Sequence, residues 1–96
     1  MSYDMRIGKE EFNYTYNVSG MFYAHNQQGI RLHYGMTGKE AIKPLRKLRK
    51  FMENNMEDLL KLNPENGWGD YYGALEFVNK LILASIRNPN EIWQGD

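Results

Sequence analysis

The stretch from Asp70 to the Asn88-Pro89 step constrains this chain more than any other. At 100° per residue, Ala74, Leu75, Phe77, Val78, Leu81, Ile82, Ala84 and Ile86 cover most of a helix and leave a narrow polar strip at Glu76, Asn79, Lys80 and Arg87. A helix apolar over so much of its circumference needs the rest of the chain around it. Asp70 is placed to cap its free N–H groups, and Asn88-Pro89 stops it near Arg87, because the residue before proline avoids helical backbone. A chain of 96 residues buries roughly 60–65% of its unfolded surface, which makes one core. One domain, residues 1–96, built around this last helix, is therefore expected.

The N-terminal third follows a different period. Tyr3, Met5 and Ile7 alternate with polar residues as a strand does. Gly8-Lys9 fits a type II′ turn. Phe12, Tyr14, Tyr16 and Val18 then share one face of a second strand, and Glu11, Asn13, Thr15 and Asn17 share the other. Asn17 or Ser19 is expected to cap a short helix holding Met21, Phe22 and Tyr23, followed by a turn at Asn26–Gly29. Residues 30–36 read as a connection with Ile30 and Leu32 turned inward. Thr37 and Glu40 have capping-box spacing and open an amphipathic helix to about residue 53. Pro44 lies too deep for a free first turn, so a kink or restart is expected there. A further short helix, Met56 to Leu62, ends before Asn63-Pro64, and Asn66–Gly69 is a loop. The tail holds a short extended piece through Ile92 and Trp93. The fold class is α+β: an N-terminal β-hairpin on a bundle of three to four helices, the C-terminal one central.

Composition narrows the function. There is no cysteine, so no disulfide framework, thiolate nucleophile or Cys-type zinc site. The N-terminal segment lacks a basic stretch followed by an apolar run, and no apolar run reaches membrane length, so a cytoplasmic protein with no membrane partner is expected. Gly67, Gly69 and Gly73 stand near a helix start, yet their spacing and setting do not match a dinucleotide fingerprint, and Asp70 would repel a phosphate. An EF-hand alignment leaves its first and last positions without carboxylates. His25 and His33 lack metal-ligand spacing and are expected as surface or turn residues. No catalytic residue, metal or cofactor is implied.

Two features point to binding. Net charge is zero but uneven: residues 37–50 carry six basic and one acidic side chain, and residues 51–96 carry three basic and eight acidic. Lys39, Lys43, Arg46 and Lys50 form a stripe opposite the apolar side of their helix, suited to an acidic protein or a second copy of the chain. The domain is neutral and the stripe lacks aromatics, so nucleic acid is not the expected partner. The second feature is the polar strand face, since asparagine is depleted in strands. Asn13, Thr15 and Asn17 suit a small polar ligand held against Trp68, Asp70 and Tyr71. The competing reading is an internal clasp, in which Asn13 or Asn17 bonds the loop backbone and Trp68 seals the core.

Three groups of residues also resemble a known pattern. They are Tyr3-Asp4, Ile7-Gly8 and Glu11-Phe12-Asn13-Tyr14-Thr15 with Asn17; Gly35-Met36-Thr37-Gly38-Lys39; and Asn63-Pro64, Asn66-Gly67-Trp68-Gly69-Asp70, Gly73-Ala74 and Glu76-Phe77. Together they resemble a family of small proteins encoded by bacteriophages, to which no chemistry is attached. The basic run 43–50 is not part of that pattern. The resemblance implies a non-enzymatic phage accessory protein in the host cytoplasm, an inhibitor of a host defence system that binds a host protein. The alternative is a protein that sequesters a small, polar, nucleotide-like signal molecule. A small enzyme is the remaining reading.

Overall fold

The computed structural model describes residues 2–96 as an α+β fold. Strands β1 (Ser2–Ile7) and β2 (Glu10–Thr15) form the expected hairpin, with Ile7 opposite Glu10 across Gly8-Lys9. Gly8 has φ +57° and no non-glycine residue has positive φ, as a type II′ turn requires. Four helices follow: α1 (Ser19–Tyr23), α2 (Gly38–Asn54), α3 (Met56–Leu60) and α4 (Tyr71–Arg87). A last strand, β3 (Gln94–Gly95), joins the free side of β1, so the sheet order is β2-β1-β3, all antiparallel.

Helix α4 is central and packs on both α2 and β2. Its core-facing residues are Tyr71, Ala74, Phe77, Val78, Leu81, Ile82, Ala84 and Ser85. Tyr3, Met5 and Ile7 meet this core from the sheet, and Leu45, Leu48 and Met52 meet it from α2. Ile86 departs from expectation by pointing outward with Leu83. Ser85 turns inward with its hydroxyl satisfied: it donates to Leu81 O at 2.8 Å and accepts from Trp93 Nε1 at 2.9 Å.

Several local expectations are corrected. The second strand stops at Thr15, whose hydroxyl accepts from Asn17 N–H at 3.3 Å and caps a 3-10 turn over Tyr16–Val18. Asn17 is therefore on a turn, not on a strand face. Neither Asn17 nor Ser19 caps α1, which starts after Val18 without a side-chain cap. The capping box of Thr37 and Glu40 is fully formed, and α2 runs through Pro44 without a restart. α3 ends at Leu60, two residues early. Residues 29–33 form a 3-10 turn that buries Ile30 and His33, whereas Leu32 stays half-exposed.

His33, expected at a surface or turn, is 1% exposed. Its Nδ1 lies 2.8 Å from Ile30 O and its Nε2 has no partner among the described residues. Burial lowers its pKa below the usual 6.5, since the charged ring is disfavoured in an apolar site. The unfolded chain then takes up a proton that the fold refuses, so stability falls as pH drops below 6.5. We expect the His33 ring signals to titrate below that value in a proton NMR titration of the folded protein. Titration at or above it would mean the ring is hydrated.

The two ends of the chain are tied together. Glu10 accepts from Arg87 Nη2 and Asn88 Nδ2, both at 2.6 Å, and from Arg87 Nε at 3.1 Å. These bonds hold its carboxyl below the usual carboxylate range. The free N–H groups at the start of α2 are met by the tail: Gly38 N donates to Glu91 O at 2.9 Å and Lys39 N to Pro89 O at 3.0 Å.

Candidate functional site

Strand β2 and the loop before α4 meet along one side of the molecule, and Tyr14 joins them. Its ring stacks on Phe77 at 5.9 Å, and its hydroxyl accepts from Asp70 N–H at 3.1 Å. Within the loop Asn66 Oδ1 accepts from Trp68 N–H at 2.9 Å, and Asn63 Oδ1 accepts from Tyr71 N–H at 2.8 Å. Asp70 caps α4 through Gly73 N–H at 2.7 Å. The loop is thus fixed at both ends, and the tip it fixes is Trp68.

Trp68 is 70% exposed, the most exposed of the large apolar side chains. Beside it lies an open cleft of about 760 Å³, lined by Trp68, Asn13, Asn17, Asn66, Ser2 and Thr15, with Tyr14 and Gly69 completing the wall. Four of the six residues expected to hold a ligand, Asn13, Thr15, Asn17 and Trp68, come together here. Asn17 reaches it from the turn instead of the strand. Asn13 and Asn17 are exposed, and among the described residues their side-chain amides make no hydrogen bond. The Thr15 hydroxyl accepts a bond from the turn, and its methyl lies against Gly69.

Asp70 and Tyr71 do not line the cleft. Asp70 is engaged as the cap, and Tyr71 is buried with its hydroxyl donating to Met52 O at 2.8 Å. The internal clasp is also corrected. The loop is held by Tyr14, not by Asn13 or Asn17, and Trp68 seals nothing. Ser2 and Asn66 were not expected at the site. The Asn66-Gly67 step marked a turn but gave no sign of which strand the turn would face. Among the described residues the cleft wall offers amides and hydroxyls, and no ionisable acid, base or cation apart from the phenol of Tyr14. A smaller trough of about 300 Å³ adjoins it at Asn13 and Tyr14 and extends toward Glu11, Glu76 and Lys80.

The second candidate surface is α2. Lys39, Lys43, Arg46 and Lys50 are all exposed, and among the described residues none has an acidic side chain within ion-pair distance. Arg49, one residue from the stripe, donates to Asn79 of α4 at 3.2 Å and serves the helix packing. Beyond that contact α4 presents Leu83 and Ile86, 53% and 46% exposed. Among the described residues no three His, Asp or Glu side chains gather as metal ligands would, and no helix is long and apolar enough to cross a membrane. Comparison with protein-family models, with curated proteins and with solved structures finds no match to this chain.

Proposed function

We propose that the chain is a phage-type accessory protein that acts without chemistry, by capturing a small polar molecule in the cleft beside Trp68. One observation carries this reading: a largely exposed indole on a loop pinned by Tyr14 faces amides that make no side-chain bond within the fold. An exposed indole costs solvation without adding to the core, and idle amides in a concave wall are the groups that orient ligands. The residues concerned also lie in the segments that resemble the phage family. Binding is favoured over catalysis because amides and alcohols bear hydrogen bonds well but are poor proton carriers near neutral pH. Sequestering a signal molecule of the host is the role that fits such a protein.

The test is Asn13→Ala. Its side chain is exposed and makes no hydrogen bond among the described residues, so stability in urea should stay within about 0.5 kcal/mol of the parent. Native mass spectrometry of the protein taken from infected cells should show a retained small molecule on the parent and none on the variant. Equal retention by both, or a clear loss of stability, ends the cleft reading.

Docking to a host protein through α2 is the second reading, supported by four exposed cations with no acidic partner. Changing Lys43, Arg46 and Lys50 together to Glu should abolish association with an acidic partner and leave the fold intact, because all three side chains lie in solvent. Association that survives the reversal, at any salt concentration, excludes the stripe.

A further inference from the structure

We infer that the molecule held at Trp68 is an uncharged sugar ring and not a nucleotide; this rests on the cleft reading above and narrows it to a ligand class. The first argument is charge. Among the described residues the cleft wall holds no lysine or arginine to compensate a phosphate, and Lys80 of the adjoining trough is paired with Glu76 at 3.5 Å. The nearby start of α4, which would otherwise attract an anion, already has the Asp70 carboxylate on its N–H groups. A phosphate brought to this end meets a negative charge first. A nucleotide-like signal, as the sequence alone suggested, therefore finds no seat for its charged part.

The second argument is shape. Trp68 offers one exposed ring, and apart from Tyr14 no second aromatic plate lines the open cleft among the described residues. A flat nucleobase has two apolar faces, and a single plate leaves one of them in water. A sugar ring differs: its C–H groups form an apolar face, while its hydroxyls point around the rim. The apolar face suits one indole, and the rim suits a wall of hydrogen-bonding groups. Each hydroxyl both donates and accepts, and a carboxamide presents a C=O and an NH₂ side by side to do the same. Asn13 and Asn17 keep both halves available. Asn66 has committed Oδ1 to Trp68 N–H and keeps its NH₂. Ser2 donates to Asp4 Oδ2 at 3.2 Å and keeps its acceptor lone pairs. The wall therefore holds several free donors and acceptors, from four residues beside the one indole.

The experiment follows the two indole N–H signals and the side-chain amides of isotope-labelled protein by NMR. The additions are glucose, galactose, mannose and N-acetylglucosamine, each free and as an oligosaccharide, and separately adenosine and ADP. At least one saccharide should move the Trp68 indole together with the Asn13 and Asn17 amides, while the buried Trp93 indole stays still. A preference for the chain over the free sugar would identify a polysaccharide source. Trp68→Ala should weaken that saccharide roughly tenfold or more, a loss of about 1.4 kcal/mol or more. If adenosine or ADP moves the same signals, the sugar assignment is overturned and the cleft reading stands. If no saccharide moves them, the assignment is overturned as well, and retention of the native molecule by Asn13→Ala decides separately whether the cleft reading goes with it.

Discussion

Trp93→Ala is expected to destabilise the protein by about 3–5 kcal/mol, the usual range for deleting a buried tryptophan. Trp93 stands three residues from the end of the sequence given, where chains commonly fray. Here it is the largest fully buried side chain of the fold. Its ring lies 6.2 Å from that of Phe12, and its Nε1–H donates to Ser85 inside the core. The backbone around it is equally committed: Trp93 N donates to Met36 O and Gly35 N donates to Trp93 O, both at 2.9 Å. Next to it Ile92 bridges to Thr37, and Gln94-Gly95 pairs with Met5-Arg6. Losing the ring opens a cavity below both the sheet and the entry of α2. Domains of this size hold about 5–15 kcal/mol in total, so the variant should approach the unfolding threshold. Ile92→Ala, one residue away and half-exposed, should stay within about 1 kcal/mol and serves as the control. Urea denaturation of both decides the matter, and equal effects would show the tail to be a peripheral strap.

What the sequence disclosed, and what it hid, divides along the range of the interactions. Elements set by neighbours in the chain were legible. The Thr37–Glu40 capping box, the Asp70 cap and the Tyr3/Met5/Ile7 alternation each act over a few residues and stand as read. Some of the elements misjudged depend on partners far along the chain, and others on a local bond that competes with the pattern. Trp93 reads as part of a short extended piece in the tail, and its burial shows only once Ser85 and Phe12 are brought to it. His33 sits in a short connecting segment and is buried because the fold closes over the 29–33 turn. Asn17 continued the strand pattern, and what ended the strand was a single local bond from its own N–H to Thr15, competing with the ladder.

The candidate site shows the same division. Asn13, Thr15, Asn17 and Trp68 were recognisable as polar and aromatic residues in excess of what packing requires. Their assignment between ligand contact and internal clasp turned on Tyr14, which alternation placed on the core side. A hydroxyl that reaches 56 residues ahead to Asp70 leaves no trace in local spacing. Because that phenol does the fastening, the asparagines beside it are released for another use.

Gly69→Ala tests that arrangement with the second large effect, about 2–5 kcal/mol, from two separable causes. Gly69 has φ +89°, a left-handed backbone that costs an L-residue about 1–2 kcal/mol. A methyl group added there also runs into the Thr15 methyl and comes to 3.2 Å from Val18. Overpacking of this kind costs about a further 1–3 kcal/mol, because the loop or the strand must shift. Gly67, on the other side of Trp68, separates the causes. Its φ is +78°, but a methyl group there would meet nothing within 4 Å. Gly67→Ala should therefore show the backbone cost alone, about 1–2 kcal/mol, with the Tyr14–Asp70 fastening and the cleft intact. Gly69→Ala should show the larger loss and also move Trp68 away from Asn13 and Asn17, so retention of the small molecule should fail in this variant and persist in Gly67→Ala. The measurements are urea denaturation and native mass spectrometry on the same two proteins. Equal stability losses would mean that the loop does not press on Thr15. Equal retention by both variants would mean that the position of Trp68 against β2 is irrelevant to what the protein holds.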